Sequence, residues 1–115
     1  MKRAGALLGL CMLLAAPAAA SDIRVHGIGT KSCASFVYTL KSLKNEIEFN
    51  RREISQYLGW LNGYLTGAGH VVDTGPLKGL SGNEKLAWLR DYCGEHPEDP
   101  FYLAAAHLLD AYIKD

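Results

Sequence analysis

Two cysteines constrain this chain more than any other feature. Cys33 and Cys93 each fall on the apolar stripe of a separate predicted helix, and the third cysteine, Cys11, lies in a leader that export would remove. Lys2 and Arg3 give that leader a positive start, residues 4–15 are an apolar run, and Ala18-Ala19-Ala20 is a small-x-small cleavage site. Residues 1–20 are therefore expected to be a signal peptide, with the mature chain starting at Ser21. The run falls short of the ~20 apolar residues that a permanent span needs, and Leu10, ahead of Cys11, is too large for a lipoprotein site. No second long apolar stretch follows, so the expectation is a soluble, periplasmic protein without a membrane anchor. Small exported domains commonly carry a covalent staple. A Cys33–Cys93 bond would close a loop of about 60 residues, a stabilisation on the order of 4 kcal/mol on chain-entropy grounds. Two free thiols or an intermolecular bridge are the alternatives.

Maturation also sets the charge. The full chain has 12 Lys and Arg against 12 Asp and Glu; losing Lys2 and Arg3 leaves a net charge of −2. A slightly acidic chain has no electrostatic footprint for nucleic acid or for an anionic membrane surface. Residues 21–115 are long enough for one domain with a small core.

Four helices can be read along it. The first starts at Ser32, a good cap, with Cys33, Phe36, Val37, Leu40, Leu43 and Ile47 at spacings of three and four. Residues 44–53 are charged with mixed sign and read as a solvated helix end and connection. The second helix is expected over about 53–66, with Ile54, Tyr57, Leu58, Leu61 and Leu65 on one stripe and Gly59, Gly63 and Gly67 on the far side. No acidic or basic side chain occurs between Ile54 and Gly69. A helix apolar or small all round is normally buried all round, so the expectation is a central helix whose glycines admit another backbone, with self-association as the alternative. Residues 67–79 read as a loop. Ser81-Gly82-Asn83-Glu84 matches a capping box for a third helix that Gly94 is expected to stop. Asp99 and Pro100 are expected to open a fourth, with Phe101, Ala104, Ala105, Leu108 and Tyr112 inward. No alternation of period two persists. The fold class is all-α: a small four-helix orthogonal bundle stapled by one disulfide.

Catalytic chemistry finds no constellation. Cys93 and His96 have a zinc-like spacing, but His26, His70 and His107 supply no matching second pair. There is no G-x-S-x-G elbow. Asp91, Glu95, Glu98 and Asp99 read as a solvated acidic helix end rather than an acid/base pair. The expectations are no enzyme activity, no metal and no cofactor. The candidate partner surface is Tyr57, Trp60, Gly63, Tyr64, Gly67 and His70; the competing reading of its aromatics is core.

Three segments carry a resemblance. Lys31-Ser32-Cys33-Ala34-Ser35-Phe36 resembles the cysteine-plus-aromatic opening of the Hde-type periplasmic acid-stress chaperones. Trp60-Leu61-Asn62-Gly63-Tyr64 sits where that family has an aromatic-rich central helix, and Tyr92-Cys93-Gly94-Glu95-His96-Pro97 looks like its second-cysteine motif. The resemblance spans about residues 31–109. It implies one disulfide joining the first and third helices, and a homodimer that opens in acid and holds unfolded clients on exposed apolar surface. The acid trigger would be carboxylates whose depressed pKa values stabilise the closed form; the candidates are Glu46, Glu48, Glu53 and Glu84, near Lys44, Arg51, Arg52 and Lys85. The longer connection before the second helix, Gly59 and Gly63 depart from that pattern. Residues 60–67, His96-Pro97 and the alanine-rich last helix also resemble Tai-type immunity proteins, which plug secreted cell-wall amidases; there the partner would be an enzyme and the 67–79 loop the plug. A structural accessory with neither role is the third reading.

Overall fold

The structure is a computed structural model that describes residues 24–43 and 48–113, with the backbone alone for residues 48–50. The expected signal peptide, Lys44, Glu46, Ile47 and the side chain of Glu48 lie outside the described residues. Among the described residues four helices follow one another: α1 (Cys33–Ser42), α2 (Glu48–Ala68), α3 (Gly82–Glu95) and α4 (Phe101–Tyr112), with 3-10 turns at Gly27–Thr30 and Gly75–Leu77. Among the described residues there is no strand, only an isolated bridge between Ser32 and Pro100. The protein is a small all-α bundle.

The bundle is tied together where α1 begins. The first N–H groups of a helix have no partner within it, and here those of Cys33, Ala34 and Ser35 find one, before the first regular helical bond at Phe36. Cys33 N donates to the Asp99 carbonyl (2.7 Å), Ala34 N to the Pro97 carbonyl (3.0 Å), Phe36 N to the Ser32 carbonyl (3.2 Å) and Ser35 N to the Ser32 hydroxyl (3.1 Å). Phe101 N donates back to the Lys31 carbonyl at 2.7 Å. The starts of α1 and α4 are thus joined through their backbones. Cys33 and Cys93 are disulfide-bonded beside this junction, with Cα atoms 4.8 Å apart and both side chains fully buried.

The core grows outward from that staple. Phe36, Tyr57 and Phe101 form a triangle of rings with centroids 4.8–5.0 Å apart, edge-on or tilted as aromatic quadrupoles prefer. Ile54, Leu61 and Leu65 extend it along α2, Leu89 adds from α3, and Ala104, Ala105 and Leu108 let α4 lie close. Leu77, carried by the second 3-10 turn, closes one end.

Several local expectations are corrected. α2 runs from Glu48 to Ala68, so it starts within the charged stretch, five residues before the expected start at about Glu53. α2 is not buried all round: Gly59, Gly63 and Gly67 face solvent, and a Cβ at any of them would meet nothing within 4 Å. The exposed face is built of Ser55, Gln56, Asn62, Thr66 and those glycines. It is polar without being charged, so the absence of charge does not here mean burial. α3 passes through Gly94 and ends at Glu95. Pro97, which pushes the residue before it out of helical geometry, supplies the stop, and His96 leaves the helix with ψ 58°. The cap of α4 is Pro100, not Asp99.

Candidate functional site

The expected site residues divide into two places, and one of them belongs to neither. That one is Tyr57. Its side chain is fully buried in the aromatic triangle, so it belongs to the core and to no partner surface. Its hydroxyl has no hydrogen-bond partner, and its pKa is pushed up to about 12, first by burial and then by the charge of Glu53.

The first place is a clasp across α1 and α2. Glu53 Oε1 accepts from Lys31 Nζ at 2.8 Å and Oε2 accepts from the Thr39 hydroxyl at 3.0 Å. The Lys31 hydrogen bond, set against a smaller desolvation and helped by Thr39, holds the Glu53 carboxyl below the usual carboxylate range. Thr39 is itself buried, at 3% exposure, and its hydroxyl also lies 3.0 Å from the Ser35 carbonyl. A hydroxyl has one hydrogen, so the carboxylate and the carbonyl compete for it. A protonated Glu53 would donate to Thr39 instead and free that hydrogen for Ser35, while the ion pair with Lys31 would be gone. Arg51, an expected neighbour, is not among the partners of Glu53 in this clasp. Its cation comes from 22 residues upstream, a pairing that no local sequence signal carries. Of the other expected acid sensors, Glu84 is a local cap: its carboxylate accepts from Ser81 N (2.9 Å) while the Ser81 hydroxyl accepts from Glu84 N (3.1 Å). Those Ser81 hydrogen bonds lower its pKa. Glu84 links nothing across the bundle.

The second place is the outer side of α2. Trp60 and Tyr64 are half-buried and stack with centroids 5.5 Å apart and planes 9° from parallel. Trp60 Nε1 donates to the His26 carbonyl at 2.9 Å, and its ring meets Phe101 edge-on at 5.8 Å. Gly29 lies against the indole so closely that a Cβ there would overlap the ring. Gly27, at φ +79°, turns the chain into this contact, a conformation glycine adopts without strain. Trp60, Gly63 and Tyr64 line one groove of about 490 Å³. Gly67 continues the exposed face beyond the groove, and His70 sits in the turn after α2, exposed and apart from it. Past the helix, Val71 is 83% exposed and Val72 is 39% exposed.

A third cluster lies outside the sequence expectations. Trp88 and Tyr92 of α3 and His96, the residue that caps its end, recur every fourth residue and stack in turn, with His107 of α4 joining at 4.9 Å from Tyr92. The four-residue spacing of these rings is the signal that could have found it. The Tyr92 hydroxyl donates to Asp99 Oδ2 at 2.7 Å, and burial, with that bond second, pushes its pKa up to about 12. Asp99 is thus no solvated acid. Its carboxylate accepts from Tyr92 of α3 and its carbonyl accepts from the start of α1, while Pro100 takes the cap position of α4. Among the described residues no group of His, Cys, Asp and Glu could hold a metal ion, and no helix is long and apolar enough to cross a membrane. No protein-family model matches the chain, and no curated protein or solved structure matches it significantly.

Proposed function

We propose that this is an exported, non-enzymatic binding protein of the periplasm that loosens in acid and then holds unfolded polypeptides. The observation that carries the reading is the Glu53 clasp. Glu53 has a lowered folded-state pKa, so its contribution to stability is present above the unfolded value and is lost as pH falls through the folded one. The seam it joins is the contact of α1 with α2, and the Lys31–Glu53 bond also ties the residue at the α1–α4 junction. The buried disulfide holds α1 to α3 whatever the pH, so acid would open a single seam and leave the chain compact. The test compares the mature protein at neutral pH and at about pH 3 for binding of an apolar dye and for suppression of client aggregation. Dye binding and suppression that appear only in acid are expected. A protein that stays closed and inert at the lower pH rejects the reading.

One observation favours a second reading, an immunity protein. Val71 and Val72 are exposed apolar side chains at the end of α2, held by a turn whose Gly75 N donates to Asp73 Oδ1 at 2.8 Å. Such a tip suits insertion into an enzyme cleft. A gene for a secreted hydrolase beside this one, and its inhibition by the purified protein, would support it over the first.

A further inference from the structure

We propose that α2 is a cover released in acid, and that an apolar stretch of an unfolded polypeptide takes its seat on the other three helices. The inference rests on the client-holding reading above and names the surface that does the holding. The four helices are not tied alike. α1, α3 and α4 are joined by bonds that contain no titrating group: the Cys33–Cys93 disulfide, and the main-chain bonds of Cys33, Ala34 and Phe101 at the α1–α4 junction. Among the described residues no main-chain hydrogen bond joins α2 to another helix. Glu53 reaches Lys31 and Thr39, and Trp60 reaches the His26 carbonyl, each through a side chain.

The seam under α2 also carries groups that favour its parting. The Tyr57 hydroxyl is buried without a hydrogen-bond partner, and on exposure it gains water. Most helix stability in proteins comes from packing, and Gly59 and Gly63 make α2 a weak helix once it leaves its support. Glu53 adds the pH dependence. The charge facing it is Lys31; the phenols of Tyr57 in α2 and of Tyr38 across in α1 are the other titratable groups beside it. Protonation removes the attraction between Glu53 and Lys31, and it acts on the helix with the weakest ties. What α2 buries says what can replace it. The Tyr57 ring packs on Phe36 and Phe101, Trp60 meets Phe101 edge-on, and Ile54, Leu61 and Leu65 complete the stripe. A segment with aromatic and aliphatic side chains close together fits the vacated seat. Folded proteins bury such side chains, and unfolded ones expose them. At neutral pH α2 itself covers the seat, so the client is held only in acid.

Two measurements on the full mature protein, at neutral pH and at about pH 3, test the release and the seat separately. Amide hydrogen exchange follows the release. The amides of α2 from Ile54 to Leu65 should lose protection in acid while those of Cys33, Ala34 and Phe101 keep it. Equal loss at both places means general loosening and overturns the release of α2, whether or not clients bind. Anisotropy of fluorescently labelled, reduced and carboxymethylated α-lactalbumin, a permanently unfolded chain, follows the seat. Two variants should move both readouts in opposite directions. Glu53→Gln should lower the protection of α2 about fivefold at neutral pH and strengthen probe binding there. The double change Gly59→Ala and Gly63→Ala fills open space on the helix, holds α2 down, and should weaken probe binding in acid roughly tenfold. Alanine variants that protect α2 better in acid yet bind as tightly as the unaltered protein overturn the seat and leave the client-holding reading in place. So does a Glu53→Gln protein with less protected α2 and no gain in binding. If the unaltered protein binds the probe at neither pH, the client-holding reading fails and the seat fails with it.

Discussion

Glu53 shows how much one side chain can couple. It sits in α2, yet its bonds reach Lys31 ahead of α1 and Thr39 inside α1. Lys31 is half exposed and Glu53 is only 15% exposed, so solvent screens the pair in part and its contribution is modest. Replacing Glu53 with Gln is expected to lower stability by about 1 kcal/mol at neutral pH. The same change should flatten the acid side of the profile, because the lost contribution is the one that disappears as pH falls. Urea unfolding at several pH values measures both. Tyr57 gives the opposite sign. Its buried hydroxyl is unpaired and lies in the field of Glu53, and an unsatisfied buried group is unfavourable by ~1–3 kcal/mol. Tyr57→Phe is therefore expected to leave stability unchanged or to raise it by about 1 kcal/mol, read as a shift in the urea midpoint at constant slope.

At the scale of the element, α3 is the helix whose start is most legible and α2 the helix that is least so. Ser81 and Glu84 specify the start of α3 by chemistry confined to four residues, and both reciprocal bonds are formed. Ser81→Ala should destabilise by ~1 kcal/mol and should fray the first turn of α3, seen as faster amide exchange at Lys85 and before. Since the Glu84 carboxyl is held low by that box, the cap is strongest above the ordinary carboxylate pKa and weakens as pH falls through the lowered one. α2 misleads because its stripe, Ile54, Tyr57, Leu61 and Leu65, says which face is inward but not whether the opposite face has a neighbour. A missing charge is ambiguous between burial and an uncharged surface. The end of α3 misleads for a related reason: Gly94 resembles a stop, but the stop is set by Pro97, two residues beyond the last helical residue, Glu95.

For the whole molecule, the disulfide is a covalent stabiliser that can be removed chemically. It joins residues 60 apart in sequence, is fully buried, and abuts the backbone junction of α1 with α4. Replacing both cysteines with serine should lower stability by about 4 kcal/mol, somewhat more if the buried hydroxyls stay unpaired. Thermal melting with and without reductant measures it. A loss that large in a small domain approaches the whole stability of many such folds, so the reduced form is expected to be largely unfolded in acid, where the Glu53 clasp is also gone.

What the sequence determined by itself is what depends on neighbours along the chain: four helices from spacings of three and four, the caps at Ser32 and Ser81, and the inward faces that bring Cys33 and Cys93 onto one core. What the tertiary structure decided is what depends on strangers in sequence. Lys31 found Glu53, Asp99 was drawn away from its expected cap to Tyr92 and Cys33, and Gly29 was pressed against Trp60. The physical reason is one of range. Periodicity and capping act within a turn or two and leave a local trace, whereas a partner across the bundle is chosen only after the helices have packed, and its identity is written nowhere near the residue that needs it.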